Sequence, residues 1–191
     1  MHIEDVRRIV GAYRKHSLRD HGFIPSAVLM LLLQKDGECH VLFTERSYEV
    51  RFHRGQVCFP GGAKEKSDRS LLDTALRETE EEIGVLARDI EILGELDDTA
   101  TISTGYVITP FVGLMPYPYE FKCDERESSE VFFVPLSFLT DSSHVKQGLR
   151  TSSRAVTGFF YEYEGHVIWG ATARIVRRFT ELFQSVSDGV S

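Results

Sequence analysis

The spacing of apolar positions changes several times along this 191-residue chain, and each change predicts an element. Ile3, Val6, Ile9, Val10 and Tyr13 recur at helical spacing, which predicts an amphipathic helix over about residues 2–16. SAVLMLLLQ (26–34) is a continuous apolar run closed by Lys35-Asp36-Gly37, the pattern of a buried strand entering a hairpin turn. HVLFTER (40–46) is the returning strand. VCFPGG (57–62) reads as a short strand stopped by Pro60 and two glycines. A helix is predicted over about 69–83, capped by Ser67 or Asp68 and closed by Gly84. EILGEL (91–96) and GYVITPFVGLM (105–115) predict strands, the second interrupted at Pro110. Residues 116–129 are polar and turn-rich, EVFFVPL (130–136) is a strand, and 137–153 is a Ser-rich loop. VTGFFYEYEG and HVIWG (156–170) form a hairpin, with Tyr161, Tyr163 and Trp169 as packing residues. A last helix covers 171–186, with Ile175, Phe179, Leu182 and Val186 on one stripe. Hairpins mixed with three helices predict a mixed α/β class rather than a doubly wound parallel sheet.

The helix over 69–83 carries the chemistry. At about 100° per residue, Leu72, Leu76, Thr79 and Ile83 share one sector, and Glu78, Glu81 and Glu82 fall nearly opposite. Glu80 points elsewhere. Charge runs are usually solvated faces. These acids, however, crowd the C-terminal end of the helix, where the macrodipole disfavours negative charge. Only Arg77 stands beside them. A cation would relieve both the dipole and the mutual repulsion. Carboxylates without sulfur or paired histidines suit a hard divalent ion, Mg²⁺ or Mn²⁺, and such an ion suits phosphate chemistry.

Composition narrows the picture. The formal net charge of −7 argues against nucleic acid or an anionic membrane as partner, so an anionic small-molecule substrate needs a local basic patch or a metal. The three cysteines form no CxxC pair, which fits reduced thiols in a cytoplasmic setting. The N-terminus lacks a signal-type apolar region, no apolar run is long enough to span a bilayer, and SDGVS at the C-terminus resembles no anchor signal. The length favours one domain over 1–191.

Residues 59–85, FPGGAKEKSDRSLLDTALRETEEEIGV, resemble the box of the Nudix hydrolase family, G-x5-E-x7-R-E-U-x-E-E-x-G-U with U bulky and aliphatic. Arg77, Glu78, Glu81, Glu82, Gly84 and Val85 match its second half in spacing. The first half departs. From Gly62, five residues lead to Asp68 and eight more to Arg77, one residue longer than the general pattern, and Thr79 stands where an aliphatic residue is usual. The resemblance implies an α/β/α sandwich with the box at 62–85. It implies that Glu78 and Glu82 bind a catalytic metal, that Glu81 is a third ligand or the base, and that Arg77 orients a glutamate. Plain ion pairing for Arg77, and turn or cap geometry for Gly62 and Gly84, remain readings beside these.

The preceding segment, LFTERSYEVRFHRGQVCFPGG (42–62), resembles the signature of one branch of that family, the coenzyme A pyrophosphatases: L-L-T-x-R-[SA]-x3-R-x3-G-x3-F-P-G-G. Leu42, Thr44, Arg46, Ser47, Arg51, Gly55, Phe59, Pro60, Gly61 and Gly62 fit, and Phe43 is the departure. TPFVG (109–113), EVFFVPLSFL (130–139) and IWGATARIV (168–176) look like the family's later strands and final helix. Arginine forks suit phosphate oxygens, and Arg46, Arg51 and Arg54, with His53, are the dense basic patch near the acids. The resemblance thus places Arg46, Arg51, Phe52, Arg54, Gly61 and Gly62 on the substrate, with Phe52 against adenine or the pantetheine arm. The plainer readings are snorkelling arginines, a core Phe52 and a surface His53. The activity implied is hydrolysis of the diphosphate of coenzyme A or its thioesters, giving 4′-phosphopantetheine (or its acyl form) and adenosine 3′,5′-bisphosphate. Another nucleoside diphosphate derivative, such as NADH, ADP-ribose or a dinucleotide cap, is the alternative substrate. A non-catalytic ligand sensor is the alternative class. A homodimer is expected from the family resemblance alone.

Overall fold

A computed structural model describes residues 2–18, 22–46, 55–101, 104–124, 128–148 and 158–187. The order is α1 (Ile3–Ala12), β1 (Ile24–Lys35), β2 (Glu38–Arg46), β3 (Val57–Cys58), β4 (Gly61–Ala63), α2 (Leu71–Ile83), β5 (Glu91–Glu95), β6 (Thr99–Thr101), β7 (Tyr106–Leu114), β8 (Ser128–Pro135), α3 (Leu136–Thr140), β9 (Lys146–Gln147), β10 (Phe159–Tyr163), β11 (His166–Ile168) and α4 (Gly170–Ser187).

β1 and β7 run parallel at the centre of the main sheet, from Ile24 opposite Tyr106 to Leu32 opposite Leu114. β2 returns antiparallel to β1 through a tight turn at Asp36 (φ 51°) and Gly37 (φ 79°), two left-handed residues as such a hairpin needs. β8 and β3 add to β2, β5 and β6 to β7, and β4 to β1. β9, β10 and β11 make a small second sheet.

Alternation along the strands splits the core into two layers. Leu29, Leu31 and Leu33 of β1 pack with Leu42, Ala75, Ile83 and Val85 beneath α2. Met30, Leu32, Val41, Phe43 and Phe132 pack on the other face with Val6 and Val10 of α1 and Val176 and Phe179 of α4. The mixed sheet between helices is the α/β/α arrangement that the family resemblance implies. Among the described residues, no helix is long and apolar enough to cross a membrane.

Four expectations are corrected. α1 stops at Ala12, not near 16, because Tyr13 turns extended (φ −67°, ψ 141°). Its hydroxyl donates to Asp97 Oδ1 (2.5 Å) and accepts from Arg178 Nη2 (3.0 Å), while the His16 and Leu18 N–H groups bond Asp97 and Asp98. Pro110 does not interrupt β7. β5 pairs as far as Phe111 and β6 begins at Ile108, so the missing N–H of Pro110 falls in the gap, and its carbonyl accepts from Leu96 (2.8 Å). The loop predicted after 136 contains α3, whose Leu136 and Leu139 are buried, a three-residue 3-10 turn and β9. The cap of α2 is Ser70, two or three residues later than expected, and its hydroxyl accepts from the Asp73 N–H (3.0 Å).

Candidate metal and diphosphate site

The site begins with the two glycines of β4. At Gly61 (φ 154°) a Cβ would lie 2.6 Å from the Cα of Val28 and against the carbonyl of Ala27, so β4 can pair with β1 only without a side chain there. At Gly62 a Cβ would meet the Glu78 carboxyl carbon at 2.5 Å and Oε2 at 2.7 Å. Glu78 therefore rests its carboxylate on the bare backbone of Gly62. Both glycines, expected at the substrate, have in this structure an immediate steric reason.

The turn from β4 into α2 delivers Asp68, which is 7% exposed. It accepts from Arg77 Nε (3.0 Å) and Nη2 (3.1 Å), from the Glu65 N–H (2.8 Å) and from the Thr74 hydroxyl (2.9 Å). The Arg77 guanidinium foremost, then the Glu65 N–H, hold the Asp68 carboxyl well below the usual carboxylate range. Asp68 is thus drawn away from the helix cap, which explains why Ser70 takes that role. Arg77 continues to Glu78 Oε1 and Glu81 Oε2, both at 2.9 Å. One guanidinium joins the turn before the helix to two carboxylates on it. The sequence register that makes Asp68 the acidic position before Arg77 locates this partner; the contacts themselves are not legible from helical spacing, because Asp68 lies before the helix.

Glu82 is only 3% exposed, whereas the wheel sets it opposite the anchoring face. The buried positions of α2 are Thr74, Ala75, Thr79, Glu82 and Ile83, so the covered face is turned toward the acids. The chain after β7 folds against this end of the helix: the Lys122 and Asp124 N–H groups bond the carbonyls of Ile83 and Glu82, each at 3.0 Å. Gly84 closes the helix in the left-handed region (φ 73°), bonded to the Glu80 carbonyl (3.0 Å). Glu81, with its side chain 59% exposed, is the open member of the three. Glu80 is exposed and away from them, as expected.

Across from Glu82 lies Cys58 on β3. Burial first, and the Glu82 charge second, push its thiol up to about 11, so it is a neutral thiol at physiological pH. Thr44 Oγ1 lies 3.4 Å from Cys58 Sγ, and the Arg46 guanidinium lies near this sulfur. Arg46 ends β2 half-buried, and its buried Nε–H has no hydrogen-bond partner among the described residues. Arg46, Glu82 and Cys58 therefore meet on the α2 side of the sheet. Arg51, Phe52, His53 and Arg54 lie outside the described residues. Tyr161 and Tyr163 pack in the core layer of α1 and α4, as expected.

The Nudix domain family model matches residues 24–150, two-thirds of the chain. This chain belongs to the Nudix family. It is 37% identical over 160 residues to a Photorhabdus laumondii protein named an uncharacterized Nudix hydrolase, NudL, covering 83% of this chain and 84% of that one. A NudL of Yersinia enterocolitica is 38% identical over 142 residues, covering 74% and 72%. Among solved structures, the Nudix hydrolase RenU of M. smegmatis superposes with a TM-score of 0.58 at 17% identity over 91% of each chain, a likeness of fold. In this Nudix chain the box spans the turn from β4, helix α2 and the Gly84 cap.

Proposed function

We propose that this Nudix hydrolase cleaves the diphosphate of coenzyme A or its thioesters with the help of Mg²⁺ or Mn²⁺. The donor set on α2 fits a hard cation, because Glu78, Glu81 and Glu82 supply only oxygen. Glu78 and Glu82 would hold the ion. When bound, it supplies positive charge for the diphosphate oxygens and acidifies water. Arg77 fixes Glu78 and Glu81 from one side, and Gly62 lets Glu78 sit against the backbone. Glu81, the exposed carboxylate, is the group proposed to take the proton from the attacking water.

The observation that supports the substrate side is the buried Nε–H of Arg46, which has no hydrogen-bond partner among the described residues. A buried donor left unmade costs about 1–3 kcal/mol, and a phosphate oxygen would satisfy it. Arg51, Phe52 and Arg54 enter on the sequence signature alone, with Arg51 and Arg54 assigned to the remaining phosphates and Phe52 to adenine or the pantetheine arm. The test is a substrate panel with Mg²⁺ or Mn²⁺: coenzyme A, its 3′-dephospho form, NADH and ADP-ribose. Cleavage of coenzyme A that drops sharply on the dephospho form, with little on the others, is expected. Cleavage of NADH or ADP-ribose but not coenzyme A would leave the metal reading standing and overturn the substrate.

A further inference from the structure

We infer a second divalent-cation site, built from Glu130, His166 and Glu45 on the sheet face away from α2. Side-chain alternation separates it from the box: Thr44 and Arg46 of β2 face the α2 side, whereas Glu45 follows Phe43 to the opposite face. Glu45 and Glu130 stand directly across from each other on β2 and β8. Like charges in that position repel, and a cation between them would relieve that repulsion. His166, from the β10–β11 hairpin, sits between them. Its ring stacks on Phe132 at 3.8 Å, nearly parallel, which fixes its orientation.

The two ring nitrogens are placed differently. Nδ1 lies 3.0 Å from Glu45 Oε2, a hydrogen-bond distance. Nε2 lies 3.9 Å from Glu130 Oε2, too long for a hydrogen bond. Two metal–ligand bonds of about 2.1 Å span at most about 4.2 Å, so an ion fits between Nε2 and Glu130. Glu45 accepting Nδ1–H would leave the Nε2 lone pair facing Glu130, the way a carboxylate commonly orients a metal-binding histidine. Ligand atoms of the three side chains lie within 4.8 Å of one another. An imidazole donor favours zinc or a similar transition ion over magnesium. Such an ion would tie the hairpin to β2 and β8, while water completes its coordination.

The test is calorimetric titration of the full chain with Zn²⁺ in a millimolar Mg²⁺ background, with thermal melts alongside. Wild type should bind one Zn²⁺ equivalent that raises the Tm. His166→Gln and Glu130→Gln should each weaken that equivalent at least about tenfold. Glu82→Gln should keep it, which separates this site from the carboxylates of α2. Glu130 is 54% exposed in its side chain, so its variant tests the site even if His166→Gln misfolds. No saturable Zn²⁺ equivalent, or one lost in Glu82→Gln and kept in Glu130→Gln, would overturn the inference and leave a proton-held ion pair.

Discussion

Gly61 and Gly62 are neighbours in sequence, yet their missing side chains serve different ends. A methyl group at Gly61 would strike the backbone of β1, which cannot swing aside. Gly61→Ala should therefore cost roughly 1–3 kcal/mol or more in a denaturant melt. At Gly62 the obstacle is the end of a flexible Glu78 side chain. Gly62→Ala should keep a near-wild-type melt while activity falls, on the order of 10²-fold for a displacement of about 1 Å. A collapse of stability in Gly62→Ala with activity per folded molecule unchanged would argue against Glu78 at the metal. Asp68 makes a prediction in pH. A carboxyl lowered in the fold contributes stability above its unfolded value, about 3.9, and loses it as pH falls toward the folded value. Asp68→Asn should be less stable than wild type at neutral pH, and the gap should narrow below about pH 4. Urea midpoints across that range measure it; a gap constant with pH would show that the Arg77 pair does not titrate with folding.

At the scale of elements, the sequence was most readable where periodicity is long and least where a distant partner decides. The apolar run in β1, the Asp36-Gly37 turn and the Gly84 cap follow from local rules. The end of α1 does not. Tyr13 continues the apolar stripe, but its hydroxyl is claimed by Asp97 and Arg178, far away in sequence. Tyr13→Phe should lower stability by about 1 kcal/mol, read by chemical denaturation, and leave catalysis intact. No change would mean that the phenol merely rests on the Asp97 pair. Burial of Glu82 is likewise not legible in the helical wheel, which does not contain the Cys58 strand that its charge lies near. α3 was missed because five residues with two buried leucines are too short for a period to register.

For the whole molecule, the sheet sorts the side chains of β2 onto its two faces. Arg46 joins Glu82 and Cys58 on one, and Glu45 joins Glu130 and His166 on the other. The spacing of the box and its preceding signature pointed to Glu82 and Arg46 on the first face, but not to Cys58. The second was not legible, since its three residues come from strands distant in sequence and match no local motif. The role proposed for the α2 carboxylates is metal-dependent hydrolysis of coenzyme A. The most direct measurement is chromatography of coenzyme A after incubation with Mg²⁺ or Mn²⁺, comparing wild type with Glu82→Gln. Adenosine 3′,5′-bisphosphate formed by wild type with metal, and lost on chelation or in Glu82→Gln, is the predicted result. Binding of coenzyme A without any product, under either metal, would contradict it and favour a ligand sensor.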